Sequence, residues 1–462
     1  MNKQSTMNMR TFYTLILTQT FSLIGSRISG LAIGIWIFKQ TGEATPLALV
    51  SFFAMLPQVL ASGLSGVLAD RWNRRYAMII GDAGQAVGTL LLFFSFATDS
   101  FELWHLYVVT FMGAIFAVFQ GPAFQASVTL LVPDDHRDRA NAIQQLTGPV
   151  AGIIAPALAG MVYALVNVEG AIILDLLTFV AAMVVVFYVH IPQPPRTSAG
   201  EASRGSLWKE MMAGVQYLVR NNALLILILG ATAINFLFTA AMALSTPYLL
   251  ARTGSETQFG IILSVMNLGA IVGGVTFGML KFKHRRIYNV IFGIGLSGLF
   301  LAGIGFGQTA IMLGLFAILM MLPLPMVNAS LMSILQGKVP PDLQGRVFAL
   351  MGQIALLLSP VSLLLVGPLA DRVAEPAVRT AGWSLVAPFV GAEAGAGMGL
   401  IYVGAGLLAA GVALMLYFVP AVRQVETLLP DYVATGEMPV VPSASDDLAA
   451  GLDGQAAPLP AN

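Results

Sequence analysis

Five stretches of this chain run past the thickness of a lipid bilayer without one Asp, Glu, Lys or Arg: 140–168, 221–251, 287–337, 347–370 and 394–422. An α-helix crosses the hydrocarbon core with about 20 residues. Inside lipid every backbone N–H and C=O has to be satisfied without water, so runs of this length and number can only be helices. They predict an all-α polytopic membrane protein. A soluble enzyme is excluded, because its surface needs charge. Only 10% of the 462 residues are charged and 57% are hydrophobic, whereas about 25% charged is usual in a soluble domain.

Turns rich in Gly, Pro, Asn and Asp cut the apolar sequence into twelve predicted transmembrane helices. These spans are expected at about 11–38, 46–69, 76–97, 104–132, 141–166, 170–190, 222–250, 258–280, 287–306, 310–336, 346–370 and 396–419. The loops between them carry an uneven charge. With the N-terminus placed on side one, that side holds 18 of the 23 Lys and Arg; side two holds Lys39, Arg252, Arg372 and Arg379, and Arg27 lies within span 1. By the positive-inside rule side one is cytoplasmic, with both termini inside a multi-pass cell membrane protein, the inner membrane in a two-membrane cell. The polar start (residues 1–10) and the length of the first apolar run argue against a cleavable signal. The formal net charge of zero gives no reason to expect a nucleic-acid partner.

The middle and the end of the chain differ in composition. "IPQPPRTSAGEASRGS" (191–206) is rich in Pro, Ser and Gly and reads as a linker. In "LWKEMMAGVQYLVRNN", Leu207, Met211, Val215 and Leu218 recur at helical spacing, which predicts an amphipathic helix on the cytoplasmic membrane surface. The expected organisation is therefore a six-helix bundle at 1–190, a cytoplasmic linker at 191–221, a second six-helix bundle at 222–419 and a tail at 420–462. The tail is poor in bulky apolar residues, and disorder is expected there. The halves carry a trace of duplication. "VPDDHRDRANA" (132–142) precedes span 5 and "VPPDLQGRVFA" (339–349) precedes span 11; "GVLADRWNRR" precedes span 3 and "GMLKFKHRR" precedes span 9. Parallel six-helix repeats are one plan for transporters, with the substrate site between the halves near mid-membrane.

There are no cysteines, and His105, His136, His190 and His284 are scattered without metal-ligand spacing, so no metal or cofactor is expected. The embedded residues form no nucleophile–base set, and no G-x-x-x-x-G-K-[ST] loop is present. Enzyme chemistry and ATP-driven pumping are therefore not expected.

The turn between spans 2 and 3 resembles the signature G-x-x-x-D-R-x-x-R-R of the major facilitator superfamily, here Gly66, Asp70, Arg71, Arg74 and Arg75. "GIIAPALAG" (152–160) is similar to the exporters' Gly-Pro motif in span 5. "GPAFQASVTLLVP" (121–133), "ILDLLTF" (173–179), "QGRVFAL" (344–350) and "GPLADRV" (367–373) resemble the macrolide-efflux and enterobactin-exporter branch of drug:proton antiporters. The resemblance covers about residues 11–420. It implies the major facilitator fold and secondary-active export of small amphiphilic organic compounds, by proton antiport and alternating access. A dedicated exporter of a siderophore or another metabolite is the alternative. The implied partners are small-molecule cargo, protons and the lipid bilayer, and the chain is expected to work as a monomer.

The signature turn has two readings. Asp70 can accept charge-assisted hydrogen bonds from the first amides of a facing helix and from nearby Arg, latching the two halves as a gate, as the resemblance implies. Otherwise Arg71, Arg74 and Arg75 only satisfy the positive-inside rule. The second "LADR", at Asp371 and Arg372, falls on the opposite side, where a helix-end ion pair is expected.

Ionisable groups inside the membrane are functional candidates by default. Arg27 borders a stripe of Gln19, Ser22, Ser26, Ser29 and Gly30, of which Gln19, Ser22 and Ser26 are candidate cavity residues. It is a candidate for holding an anionic cargo group or for pairing with a proton-carrying acid; a structural ion pair and snorkelling are the plain readings. Asp175 and Asp82 are the acids well inside spans, and both are candidates for proton coupling. Gln120, Gln125, Asn235, Asn267 and Asn328, with Phe119, Phe236, Phe238, Met320 and Met321, predict a largely apolar cavity with a few amides. The same amides are also candidates for gluing helices together.

Overall fold

The structure, a computed structural model, describes residues 9–71, 73–189, 215–216, 218–219, 221–280, 285–339 and 341–428. Within these residues regular structure is helical throughout. Ten helices are long and apolar enough to cross a membrane. One of them, Arg137–Tyr188, is two crossings that meet at Asn167, whose φ of 56° and ψ of −164° break the helix. Thr45–Arg71 completes the twelve.

Span 1 is Met9–Thr41, span 2 Thr45–Arg71, span 3 Arg74–Ala97 and span 4 Leu103–Leu131; spans 5 and 6 lie before and after Asn167. Span 7 is Asn222–Ala243 with Ser245–Thr253, and span 8 is Glu256–Met279. Span 9 is Arg286–Phe306, span 10 Ala310–Met321 with Leu324–Lys338, span 11 Pro341–Leu356 with Ser359–Leu369, and span 12 Ala396–Phe418. Side chains set several of the starts. Asn73 caps span 3 through the amides of Arg75 (3.1 Å) and Tyr76 (3.4 Å). Ser255 caps span 8 and Thr309 caps span 10 in the same way.

Spans 7, 10 and 11 are each interrupted where an unbroken helix was expected. The first piece of each ends four residues before a proline: Ala243 before Pro247, Met321 before Pro325 and Leu356 before Pro360. Proline has no N–H to bond the carbonyl four residues back, and its ring crowds that carbonyl. Pro57, Pro122, Pro149 and Pro156, all in spans 2–5, lie inside continuous helices.

Inside the bundles the packing is apolar, and large apolar side chains such as Leu165, Ile311 and Phe418 face outward, as a lipid solvent requires. Met320, read as a cavity residue, is fully buried in the core. On side two, the chain between spans 11 and 12 folds into short helical turns around Trp383, whose indole N–H donates to the Gly391 carbonyl at 2.8 Å. On side one, Pro420–Arg423 and Val425–Leu428 follow span 12 as short helices. Val422 and Val425 are buried there, and Glu426 accepts from the Ile287 amide at the start of span 9. Of the linker stripe, Leu218 is buried in the same core as Leu224 and Val347. Leu207, Met211 and the tail beyond Leu428 lie outside the described residues.

Candidate transport site

The two bundles meet along spans 5 and 8. The motif predicted to allow close approach, Gly152 to Gly160, supplies one wall. A methyl group on Gly160 would lie 2.3 Å from the Glu256 carbonyl oxygen, and one on Gly260 would lie 2.2 Å from that of Pro156. The two backbones are therefore in contact, and any side chain at either glycine forces them apart. Ser264 donates across the seam to the Ile153 carbonyl at 2.6 Å. Lys39 at the end of span 1 pairs with Glu256 at the start of span 8 and lies over the Tyr163 ring.

A second link joins spans 2 and 11. Both Asp371 oxygens accept from the start of span 2: Oδ1 from the Ala44 amide at 2.8 Å, Oδ2 from the Thr45 amide at 2.7 Å and from the Thr45 hydroxyl at 2.5 Å. The expected ion pair with Arg372 is thus corrected. The carboxylate instead caps a helix of the other bundle, where free amides and the positive end of the helix dipole favour an anion. Hydrogen bonds to a charged group contribute about 1.5–3 kcal/mol each. The capping geometry expected of Asp70 is found at Asp371, on the opposite side. These links all lie toward side two.

At the signature turn the side chains of Gly66, Asp70 and Arg71 lie outside the described residues. Arg75 turns into its own bundle. Its guanidinium donates to the Phe187 carbonyl at the end of span 6 and stands over the Phe187 ring. A cation there satisfies a free carbonyl of the last helical turn. Arg74 begins span 3.

The embedded acids are both buried between helices of the first bundle, at 2% exposure for Asp82 and 3% for Asp175. Asp82 accepts from the Gln19 amide at 3.2 Å and from the Gln120 amide at 2.5 Å, joining spans 1, 3 and 4. Gln85 donates to the other end of Gln120 at 2.7 Å. Asp175 accepts from Ser26 at 2.9 Å and Thr89 at 3.4 Å, joining spans 1, 3 and 6. Among the described residues no Lys or Arg nitrogen lies within 4 Å of either carboxyl group. Both groups are held by neutral donors alone. Gln85 and Thr89 were missed in the sequence, although they follow Asp82 at the three- and seven-residue spacing of one helix face.

Arg27 follows Ser26 about 100° round span 1. It is exposed, and its Nη1 donates to the Gly148 carbonyl of span 5 at 3.2 Å. Asn267 of span 8 stands against Gly152, one turn along, and bonds its own helix at Leu263. Asn235 likewise bonds its own helix at Ala231, Ser22 is buried and Asn328 is exposed. The predicted cavity residues therefore divide: Gln19, Ser26 and Gln120 serve the carboxyl groups, and the rest do not join them. The second bundle encloses an apolar cavity of about 200 Å³, lined by Leu227, Ile234, Ile294, Leu335, Phe348 and Met351.

Known proteins are similar to this chain in sequence and in fold. Macrolide efflux protein A of Streptococcus pyogenes is 29% identical over 370 residues, covering 78% of this chain and 90% of that protein. The enterobactin exporter EntS of Citrobacter koseri is 24% identical over 342 residues, covering 73% and 79%. Both lie in the branch that the sequence motifs resemble. Among solved structures, a bacterial homolog of the human lysosomal transporter Spinster, in an inward-facing and unoccupied conformation, superimposes with a TM-score of 0.70 at 15% identity. It covers 92% of this chain and 98% of that one, and shows the same fold. The family described as the Major Facilitator Superfamily matches residues 15–361. Two bundles, the seam between them and this match together place the chain in the Major Facilitator Superfamily, as a multi-pass membrane transporter of small molecules.

Proposed function

We propose that the protein is a secondary-active exporter of small amphiphilic organic compounds, exchanging cargo for protons by alternating access. The observation that carries this reading is the pair of buried carboxyl groups, Asp82 and Asp175, held without a cation inside the bundle that also forms the seam. Burying an unpaired charge costs several kcal/mol. A carboxyl group sealed in one conformation and wetted in another therefore couples proton binding to the movement of the helices. Asp175 is the preferred coupling group and Asp82 the second; Arg27 faces the cargo side. The Lys and Arg split supports side one as cytoplasmic, with both termini inside. The links at Asp371, Lys39 and the spans 5 and 8 glycines then form an outer gate. Asp70 with Arg71 and Arg74 forms the cytoplasmic one, Arg75 being engaged within its own bundle. Relatives named for macrolide and multidrug efflux support amphiphilic cargo. The enterobactin exporter keeps a dedicated metabolite exporter as the second reading.

The test uses purified protein in liposomes, loaded with amphiphilic dyes and with siderophores in turn. Cargo movement driven by an imposed pH gradient, with proton flow in the opposite direction, is the expected result. Cargo movement that ignores the gradient would remove proton antiport. Movement of a siderophore but of no dye would select the second reading.

A further inference from the structure

The seam between spans 5 and 8 has an inner end, and a cation stands there. Followed from side two, the contacts pass from Gly160 against Glu256, to Pro156 against Gly260, to Ile153 against Ser264, and to Gly152 against Asn267. The next turn of span 5 brings Gly148, whose carbonyl receives Arg27 rather than a residue of the other bundle. Arg27 sits beside the last of these contacts, its Nη1 3.3 Å from where a methyl group on Gly152 would stand against Asn267; it is about midway along span 1 and exposed.

A guanidinium has five N–H donors in a planar fork. One of them bonds Gly148 at 3.2 Å. Among the described residues no carboxylate lies within 4 Å of Arg27. Asp175 is bonded to Ser26, about 100° round span 1 from Arg27, with its second oxygen taken by Thr89. The intramembrane ion pair expected of an embedded arginine is not formed. An embedded cation is costly to keep without a partner, and a water-poor cleft strengthens its attraction for an anion. The fork suits a planar or tetrahedral oxyanion held by two parallel hydrogen bonds.

We propose that the cargo carries an acidic group, and that Arg27 is the dock for it at the inner end of the seam. This rests on the reading of the protein as an exporter of amphiphiles. It narrows that reading to anionic amphiphiles. The anion lies beside both spans 5 and 8, so its charge is delivered to the place where the bundles must part.

Two fluorescent probes with one skeleton test the proposal: 4-(1-pyrenyl)butanoic acid and its primary amide. Binding is measured to the full chain in lipid nanodiscs, with empty nanodiscs subtracted. Wild type is expected to bind the acid at least tenfold more tightly than the amide. Arg27→Gln should bring the two within about twofold while keeping amide binding, which also shows that the variant is folded. Arg27→Lys should restore part of the preference, since it returns the charge without the fork. Equal binding of acid and amide to wild type would overturn the dock and leave the exporter reading standing. A preference for the acid that survives Arg27→Gln would place the anion elsewhere and also overturn it. Binding of neither probe would defeat the dock together with the amphiphile reading.

Discussion

The first bundle keeps its helices whole and buries two carboxyl groups between them; the second breaks its helices, and its buried ionisable side chain among the described residues is Lys338, at the side-one end of span 10. Four prolines sit inside spans 2, 4 and 5 without interrupting them, and Asp82 and Asp175 are tied to spans 1, 3, 4 and 6 by side-chain hydrogen bonds. In the second bundle Pro247, Pro325 and Pro360 each end a helical segment, and the interior holds an apolar cavity. Rigid helices hold neutral donors at fixed distances from a carboxyl group, as a coupling site requires. Broken helices leave carbonyls without partners and give the backbone places to bend. Under the proposed antiport, this difference would give proton coupling to one half and flexing to the other.

The largest expected effect tests the first half of that division. Asp175→Asn should abolish accumulation driven by a pH gradient, by at least about tenfold, and leave energy-independent counterflow of cargo intact in the same liposomes. If both activities survive, coupling moves to Asp82 or leaves the first bundle. Loss of both in a folded protein would make Asp175 structural.

The seam comes next. Gly260→Ala places a methyl group against the Pro156 carbonyl, so the bundles should part on side two. The chain has no cysteine of its own, and Ser264→Cys therefore reports the seam cleanly. Maleimide labelling of that position from side two should speed up about fivefold or more with Gly260→Ala. An unchanged rate would mean that the glycines are not what closes this side. Asp371→Asn should move the same reporter in the same direction by a smaller factor, about threefold, since the amide keeps one acceptor for span 2. Arg372→Gln is the control, expected to leave labelling at the wild-type rate. Equal effects at both positions would revive the ion pair that the capping geometry displaced.

Smallest of all should be Pro360→Ala. It supplies the N–H missing from the Leu356 turn and lets span 11 run on. Turnover is expected to fall by about two- to threefold while Tm rises by a few degrees. A faster transporter would show that the breaks in the second bundle do not serve movement, and half of the comparison would fall.

Much of this was legible from the residues. Charge-poor runs, cut by their turn residues, predict twelve crossings because lipid leaves the backbone no other choice, and the Gly152–Gly160 motif marks the seam because only small residues let two helices touch. What escaped detection depends on contacts between distant segments. Asp371 reads as a helix-end acid beside an arginine, and nothing in "GPLADRV" tells that the start of span 2 lies against it. Gln19 and Gln120 read as cavity amides because their distance to Asp82 is set by three separate spans. The helix breaks were within reach, since the rule linking a proline to the carbonyl four residues earlier is local. The prolines inside spans 2, 4 and 5 obey the same chemistry without a break, so packing decides between the two outcomes.

The cap on span 2 has a consequence for how this protein can change over generations. Two of the three donors that Asp371 engages are main-chain amides, and a main-chain amide survives every substitution except proline. Drift at position 44 therefore leaves the clasp intact, and drift at 45 removes only the hydroxyl. The whole burden of inheritance falls on one codon. An engineer inherits the same asymmetry as a convenience: replacing Asp371 by Glu, Asn or Ser changes the strength of this side-two link at a single position, with no partner side chain to redesign.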